Sequence, residues 1–324
     1  MSGLPGFIGG TLQGRLEHVP RAGLRASAQR MSESYRQGGT SDVIRSDLDA
    51  LAYAIVRMPA TYAAVRAALA QTADIIPDYA PQSLLDVGAG PGTASWAALD
   101  AWPSLERAAL IDSNPYLLAL AAAFRESPAA PSVALSTTRN SLAAALTEAA
   151  SADMVMASYV LAELAGGVRA GVLDRLWTLS GRLLVVVEPG TPDGFRRILE
   201  CRDFLLGRGA QIVAPCSHEG GCPLATGERW CHFGARLPRS RDHLLTKVAS
   251  VPFEDEKFCY LVAGKGFADL ARGRRILATP KVGKTGVALT LCTPDVAEKR
   301  VVARRLKDDY RAAKRLGWGD AIRS

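Results

Sequence analysis

Short hydrophobic runs alternate with helix-spaced hydrophobic positions through the middle of the chain. Leu84, Leu85 and Val87 form a buried-strand pattern that runs into a glycine-rich turn at residues 88–92. Further strands are predicted over residues 108–111, 133–135, 153–159 and 183–187, and helices over 94–105, 117–124, 142–149, 172–179 and 195–206. Regular alternation of strand and helix is typical of a parallel sheet with helices on both faces. We therefore predict an α/β fold with a Rossmann-like, doubly wound sheet.

The pattern changes on both sides of this alternating region. Before it, Leu48, Leu51 and Ile55 have helical spacing, which predicts an N-terminal helical cap. After it, the pattern predicts a strand over 258–263, a hairpin of 274–279 with 287–292, and a basic helix over 301–316. The predicted plan is a helical region at 1–80, a ligand-binding domain at 81–210, a cysteine-rich metal-binding insert at 211–250, and closing strands with a basic extension at 251–324.

The turn after the first strand has the composition of a nucleotide-binding turn. Gly88, Gly90 and Gly92 let the backbone turn sharply and approach a ligand before a helix begins near Thr93. The spacing is G-x-G-x-G, not the G-x-G-x-x-G of hydride-transfer enzymes. Asp86 ends the strand, where a carboxylate can bind a cationic amino-acid ligand. The pattern therefore favours S-adenosylmethionine over NAD.

Other candidate ligand residues follow the later strands. Asp112 lies 20 residues beyond Gly92, where a carboxylate accepts hydrogen bonds from ribose hydroxyls. Ser158 and Tyr159 end the fourth strand. The predicted cofactor-binding residues are Asp86, Gly88, Ala89, Gly90, Gly92, Thr93, Asp112, Ser113, Ser158 and Tyr159.

No catalytic residue can be assigned from the sequence. The fourth strand ends without the proline-rich tetrad of amino-nitrogen methylases, and neither it nor the fifth strand ends in a nucleophilic cysteine. Tyr159 is interpreted as a residue that stacks on a base or as a core aromatic. Glu188 is interpreted as a base or as a helix cap.

Composition and charge narrow the possible partners. Hydrophobic residues make up 48% of the 324, with no apolar run long enough to span a membrane, so we expect a soluble protein with no membrane partner. From Lys265 onward there are 15 Lys or Arg against 6 Asp or Glu, whereas the whole chain has a net charge of +7. This asymmetry favours binding to a polyanion such as RNA over a merely solvated helix face.

Three of the six cysteines lie in a Gly- and Pro-rich stretch. Cys216, Cys222 and Cys231 are unlike core cysteines in this setting, which indicates a metal centre, with Cys292 as the best fourth thiolate. Cys201 and Cys259 are interpreted as core residues. Zinc bound with His218 or His232 in place of Cys292 and an iron–sulfur cluster both remain open. The C-x-x-x-C-x-x-C run of radical enzymes is missing, so any cluster is predicted to be structural or redox-sensing.

Several motifs resemble those of methyltransferase-like proteins associated with the small ribosomal subunit of mitochondria and bacteria. The matching stretches are RMPATYAAV at 57–65, LLDVGAGPGTA at 84–94, VLAEL at 160–164, VVEPGTPDGF at 186–195, WCHF at 230–233, RLPRS at 236–240, PFEDEKFCYL at 252–261 and WGD at 318–320. The resemblance covers nearly the whole chain. Its most specific parts are the cysteine insert and the PFEDEKF run.

The resemblance implies a class I methyltransferase fold that binds S-adenosylmethionine and acts in small-subunit assembly or translation, with rRNA and ribosomal proteins as partners. It also implies a [4Fe-4S] cluster on Cys216, Cys222, Cys231 and Cys292. The N-terminal arginines align with the folded helical part of bacterial members, so we expect a cytoplasmic protein, which we take to be a monomer. Two functions stay open: an rRNA methyltransferase, and a non-catalytic assembly factor that binds rRNA.

Overall fold

A mixed β-sheet forms the centre of the protein in the computed structural model, which describes residues 3–267 and 270–322. The strands are β1 Ser83–Val87, β2 Arg107–Asp112, β3 Ala134–Arg139, β4 Ala152–Ser158, β5 Ser180–Pro189, β6 Gln211–Ala214, β7 Phe233–Pro238, β8 Phe253–Gly264, β9 Arg274–Arg275, β10 Lys281–Val282, β11 Gly286–Cys292, β12 Ala297–Ala303 and β13 Ala321–Ile322. The order in the main sheet is β3-β2-β1-β4-β5-β8-β6, and β7 pairs with β8.

The first five strands are parallel, and their order reverses between β1 and β4. Strand β1 and the segment 183–188 of β5 are buried throughout, which agrees with strands covered by helices on both faces. Strand β8 joins antiparallel to β5 and to β6. The predicted class I methyltransferase, Rossmann-like fold is confirmed. Ligands of such sheets bind beyond the carboxyl ends of the strands, at the point where the order reverses.

Helices cover both faces of the sheet. They are α1 Gly6–Leu16, α2 Arg21–Arg36, α3 Asp47–Val56, α4 Met58–Ile75, α5 Thr93–Ala101, α6 Pro115–Arg125, α7 Leu142–Glu148, α8 Gly166–Leu179, α9 Pro192–Gly207, α10 Arg241–Lys247 and α11 Lys307–Ala313, with short 3₁₀ helices at Ser41–Val43 and Leu161–Glu163. The N-terminal helices share one hydrophobic core with α5 and α6, while α8 and α9 pack on the other face. The N-terminal region is helical, as predicted.

The C-terminal elements differ from the prediction. Strand β11 pairs with β10 and β12 in a three-stranded sheet, whereas β9 pairs with β13, so the predicted hairpin of 274–279 with 287–292 is replaced by a single bridge between Ile276 and Leu291. The predicted helix over 301–316 is wrong in its first part, because Val301 and Val302 pair with β11. Only α11 remains helical there. Within residues 3–267 and 270–322, no helix has the length and apolar character needed to cross a membrane.

Candidate cofactor site and cysteine centre

The glycine turn lies at the carboxyl end of β1, where the strand order reverses. Gly88, Gly90 and Gly92 have φ values of +69°, +55° and +78°. A Cβ atom on Gly88 would lie 2.3 Å from Cγ2 of Val160, and one on Gly92 would lie 2.9 Å from Cδ2 of Leu110. The positive φ angles and the close neighbours together explain why these positions hold glycine.

Asp86 is fully buried beneath this turn. Its Oδ2 accepts hydrogen bonds from Ser95 N at 3.1 Å and from Ser95 Oγ at 2.7 Å. Its Oδ1 has no partner in the protein. Burial raises the pKa of Asp86 to about 6, although the two Ser95 bonds oppose the rise. The carboxylate therefore fixes the start of α5 through Oδ2 and leaves Oδ1 without a donor among the described residues.

Asp112 lies beside the turn, at the end of β2. Its Oδ2 accepts a hydrogen bond from Gly90 N at 2.7 Å, and its Oδ1 accepts one from Asn114 N at 2.8 Å. The backbone of Ser113 also bonds to this carboxylate. Burial raises the pKa of Asp112 despite these bonds. A ribose diol bound here would have to share or replace the bond from Gly90.

Three predicted cofactor residues carry buried polar atoms that have no hydrogen-bond partner within residues 3–267 and 270–322. These atoms are Asp86 Oδ1, Thr93 Oγ1 and Ser158 Oγ. They belong to the end of β1, the start of α5 and the end of β4. Buried polar atoms are almost always hydrogen-bonded in native proteins, so a group of them around a glycine turn fits a polar ligand.

Tyr159 has an unusual backbone conformation at the end of β4. Its φ is +63°, a left-handed value that is rare for residues other than glycine. Its hydroxyl donates a hydrogen bond to Glu256 Oε1 at 3.1 Å, and burial raises its pKa well above the usual value. Burial also raises the pKa of Glu256, although the neighbouring Arg57 guanidinium lowers it. The ring of Tyr159 is therefore tied to a carboxylate from β8 and lies close to an arginine from the N-terminal helices.

The N-terminal segment also reaches the edge of this site. Glu163 accepts hydrogen bonds from Ser41 N and Ser41 Oγ, both at 3.1 Å. Asn114 Nδ2 donates to Ile44 O at 2.9 Å. Burial raises the pKa of Tyr53 to about 12, and nearby Asp112 and Glu163 add to the rise. Residues 41–53 therefore lie next to the carboxylate that ends β2.

Arg57, Glu163 and Glu256 were not predicted as site residues. Each belongs to a motif of the resemblance, but nothing in the local pattern indicates that it reaches the end of β4 or the end of β2. Membership of those motifs is the signal in the sequence that marks these three residues.

Glu188 is neither a free base nor the cap of the next helix. It is fully buried, its Oε2 accepts a hydrogen bond from Arg197 Nε at 2.6 Å, and its Oε1 accepts one from Leu161 N at 3.1 Å. Burial raises its pKa, while Arg197 opposes the rise. Thr191 caps α9 instead. Glu188 joins β5, α9 and the 3₁₀ helix after β4.

The four cysteines proposed as metal ligands line one pocket. Cys216 and Cys222 follow β6, Cys231 precedes β7, and Cys292 ends β11. The enclosed space among the lining side chains has a volume of about 30 Å³. The three-stranded C-terminal sheet thus brings Cys292 to the same pocket as the other three cysteines, and its role as a fourth thiolate ligand stays a prediction.

The remaining cysteines differ from these four. Cys201 is buried in α9 and does not line the pocket. Cys259 does line it, but its thiol donates to Cys231 O at 3.1 Å. Burial raises the pKa of Cys216 to about 11 and that of Cys231 well above the usual value. Thiolates at these positions would need a positive charge close by.

The described residues do not form a site for a single metal ion. In that part of the chain, no three His, Cys, Asp or Glu side chains are close enough to hold one ion. His232 Nδ1 lies 3.1 Å from Trp230 O, and its ring stacks on Trp230. His218 Nε2 lies 3.9 Å from Cys292 Sγ. The predicted insert at 211–250 contains β6 and β7 of the main sheet, and its metal-binding character is not shown by the geometry.

Comparison with known proteins identifies related sequences. A family model described as "Mitochondrial small ribosomal subunit Rsm22" matches residues 47–323. The human mitochondrial ribosome assembly protein METTL17 is 29% identical over 293 residues, covering 84% of this chain and 62% of that protein. The Rsm22-cox11 tandem protein 2 of Schizosaccharomyces pombe, also mitochondrial, is 26% identical over 332 residues, covering 85% and 43%. The chain thus spans less than two thirds of the length of these relatives.

Solved structures with a similar chain path include methyltransferases. Magnesium protoporphyrin IX methyltransferase from Synechocystis with bound S-adenosylmethionine has a TM-score of 0.42 and 11% identity, covering 73% of this chain and 91% of that chain. The precorrin-6y methyltransferase of Geobacter metallireducens has a TM-score of 0.40 and 15% identity, covering 61% and 86%.

The expectation of a cytoplasmic protein is wrong. The matching family is described as mitochondrial, and the human and fission-yeast relatives are named as mitochondrial proteins. These findings point to mitochondria.

Proposed function

This chain belongs to the Rsm22 family of mitochondrial small-ribosomal-subunit proteins, and from that premise we propose that it binds S-adenosylmethionine and acts in assembly of the small subunit. The human relative is named as a ribosome assembly protein, which supports the second part. The glycine turn has the geometry for ligand contact, whereas Glu188, the candidate base, is held by Arg197 and Leu161 N. Binding is therefore the better-supported part of methyltransferase chemistry.

The observation that carries cofactor binding is the set of unpartnered polar atoms around the glycine turn. Asp86 Oδ1 belongs to a carboxylate and suits the ammonium group of the methionine moiety. The Thr93 and Ser158 hydroxyls can donate or accept hydrogen bonds. Asp112 suits the ribose diol. Gly88, Ala89, Gly90, Gly92 and Ser113 supply backbone close to these side chains, and Tyr159 borders the side of the methyl acceptor.

Calorimetric titration with S-adenosylhomocysteine tests this proposal. Ser158→Ala removes one unpartnered hydroxyl at the ligand edge, and we expect it to weaken binding by about 3- to 10-fold, the value of one hydrogen bond. Ser180→Ala is the matched control, because this buried serine at the start of β5 donates to Trp177 O at 2.8 Å. It should lower stability and leave affinity unchanged. Equal affinity of the wild-type protein and Ser158→Ala would contradict the placement of the ligand.

We also propose that Cys216, Cys222, Cys231 and Cys292 hold a [4Fe-4S] cluster. Support comes from the convergence of the four side chains on one pocket and from the all-thiol donor set. A single zinc ion needs its sulfur ligands about 2.3 Å from one point, and among the described residues no three His, Cys, Asp or Glu side chains are grouped so that they could hold one ion. A cluster of several irons bridges more widely spaced sulfurs. Bound there, it would supply a structural link between the insert and β11.

The proposed ribosomal partner is small-subunit RNA, bound by the C-terminal region. Its exposed cations lie on or next to β10, β12 and α11, and they are Lys281, Lys284, Lys299, Arg300, Arg304, Arg305, Lys307, Arg311, Lys314 and Arg315. They surround a small sheet with its own hydrophobic core. Such a concentration of positive charge suits phosphate binding.

Methyl transfer to rRNA is a second candidate function, favoured by the backbone of Tyr159. Left-handed conformations of bulky residues cost about 1–3 kcal/mol and cluster at functional sites. Tyr159 has such a conformation where an acceptor would lie. Incubation of small-subunit RNA with labelled S-adenosylmethionine distinguishes methyl transfer from binding alone. Label that enters the RNA with the wild type and not with Tyr159→Phe supports transfer. No label in the RNA with a wild type that binds the cofactor supports a binding role alone.

A further inference from the structure

Two arginines line the cysteine pocket and are almost wholly buried. Arg202, from α9, and Arg275, from β9, are each only 3% exposed. Both side chains approach the pocket from elements outside the cysteine-rich insert. A buried guanidinium stays positively charged, so each needs compensation inside the protein.

Hydrogen bonds to neighbouring oxygens use only some of the N–H groups of each guanidinium. Arg202 Nη2 donates to Gly220 O at 2.5 Å and to His218 O at 3.3 Å. Arg275 Nε donates to Pro215 O at 2.9 Å, and its Nη1 donates to Gly319 O at 2.7 Å and to the side-chain oxygen Gln71 Oε1 at 3.0 Å. Arg202 Nε and Arg275 Nη2 are buried without a partner among residues 3–267 and 270–322. Arg202 thus keeps its Nε–H, and Arg275 keeps the two N–H groups of Nη2, for a further acceptor.

Acidic side chains do not balance these charges. Arg202 forms an ion pair with Asp203, with 3.5 Å between Arg202 Nη1 and Asp203 Oδ1, but the Asp203 side chain is 75% exposed. None of the ion pairs between described residues includes Arg275 Nη or Nε atoms. Thiols line the pocket beside the arginines. Burial raises the pKa of Cys216 and of Cys292, while the charge of Arg202 lowers the first and the charges of both arginines lower the second.

The negative charge of a thiolate-bound cluster would balance the positive charge of the two buried arginines. A [4Fe-4S] core with two positive charges and four thiolate ligands has two negative charges overall, and the two guanidinium groups have two positive charges. Four neutral thiols would instead leave both arginines uncompensated in the interior. Cluster sulfides and thiolate sulfurs also accept N–H hydrogen bonds, which tune the reduction potential of such centres.

We infer that Arg202 and Arg275 are the counter-charges of the cysteine centre, and that their unpartnered N–H groups donate to its sulfur atoms. The inference rests on the proposed cluster and assigns roles to residues outside its ligand set. One-electron reduction adds a third negative charge, and the arginines stabilise that state more than the oxidised one. Removing either charge should therefore make the centre harder to reduce.

The test compares variants of the anaerobically purified full chain. Arg202→Met removes the charge with little change in volume, Arg202→Lys keeps the charge, and Arg275→Met removes the second charge. Arg196→Met is the matched control, because this arginine lies on the same helix with a 67% exposed side chain paired to Asp193. Iron and sulfide content is measured first. The midpoint potential is then measured by titration with dithionite, with electron paramagnetic resonance as the readout of the reduced state.

We expect Arg202→Met and Arg275→Met each to lower the equilibrium constant for one-electron reduction at least tenfold, a shift of about 59 mV to more negative potential. Arg202→Lys and Arg196→Met should stay within threefold of the wild type. Loss of the cluster from Arg202→Met but not from Arg202→Lys would also support the inference. An unchanged potential in Arg202→Met, or loss of the cluster from both Arg202 variants, would overturn it.

The outcome for the wild type separates the two proposals. A wild-type protein without iron and sulfide would overturn the cluster itself. A full cluster in the wild type, with the same midpoint potential in the wild type and in Arg202→Met, would overturn only the assignment of the arginines. The arginines would then act as structural donors to loop carbonyls.

Discussion

Individual residues determine whether the cofactor turn can form. Gly88 combines a φ of +69° with a Cβ position 2.3 Å from a Val160 methyl group. We expect Gly88→Ala to lower the free energy of unfolding by about 2 kcal/mol or more, because both the backbone strain and the clash oppose it. Gly167→Ala is the control, since its Cβ would meet no atom within 4 Å on α8. Chemical denaturation measures both, and equal stability of the two variants would contradict this account of the turn.

The ionisation of Asp86 makes cofactor affinity depend on pH. Burial raises its pKa to about 6, so the carboxylate is charged above that pH and neutral below it. A neutral carboxyl group attracts an ammonium group less. We expect affinity for S-adenosylmethionine to fall as the pH is lowered from 7.5 to 5, by up to about tenfold per unit below the pKa.

The control for this pH dependence is Asp86→Asn, which has no charge to lose. Its affinity should be weaker than that of the wild type at pH 7.5 and flat across the same range in calorimetric titrations. A wild-type affinity that is also flat would show that Asp86 does not contact the cation.

Elements close in sequence were predictable, and elements joined by tertiary pairing were not. Asp86 lies in β1, Asp112 ends β2, and the glycine turn follows β1. Because these strands have strong local patterns, the positions of the three features could be predicted. Residues 301–316 alternate small, apolar and basic side chains, and the pattern alone favours a helix. Pairing of Val301 and Val302 with β11 outweighs that local preference.

The same limit applies to the candidate site. Arg57 and Glu256 come from the residue before α4 and from β8, about 200 residues apart along the chain, and only the packing of the N-terminal helices on the sheet brings them to Tyr159. Cys216, Cys222 and Cys231 were predicted as ligands because their setting is unusual for core cysteines, and Cys292 was chosen as the fourth because Cys201 and Cys259 have the pattern of core residues. The two buried arginines were not, because isolated arginines in a basic chain carry no local signal.

The cysteine centre depends on both the insert and the C-terminal sheet. We expect Cys222→Ser, in the insert, and Cys292→Ser, at the end of β11, each to lose most of the bound iron, because each removes one thiolate from the shared pocket. Cys201→Ser is the control, because this buried cysteine does not line the pocket. Iron analysis after anaerobic purification checks all three. Full iron in Cys292→Ser would contradict the link between the two elements.

Charge at the scale of the whole molecule determines how it meets RNA. The excess of positive charge lies beyond Lys265, and the exposed cations of β12 and α11 lie apart from the cofactor turn in sequence. We expect the combined change of Lys299, Arg300, Arg304 and Arg305 to Gln to weaken RNA binding and to reduce its salt dependence. The slope of log binding constant against log salt concentration should decrease in magnitude by about 0.7–0.9 for each phosphate that the variant no longer neutralises.

The control removes positive charge elsewhere. Arg196→Gln with Arg208→Gln neutralises two exposed arginines of the α9 region, which lies outside the basic C-terminal sheet. Filter-binding titrations at several salt concentrations should give the wild-type slope for this control. An equal reduction of slope in both sets would show that RNA binding is spread over the surface.

The claim that four distant cysteines share one inorganic centre has a direct chemical test. The measurement is iron, acid-labile sulfide and zinc content, together with visible absorption, of the anaerobically purified wild-type protein. We predict a brown protein with about four irons and a matching amount of sulfide per chain. A colourless protein that contains one zinc ion, or no metal, would contradict the account.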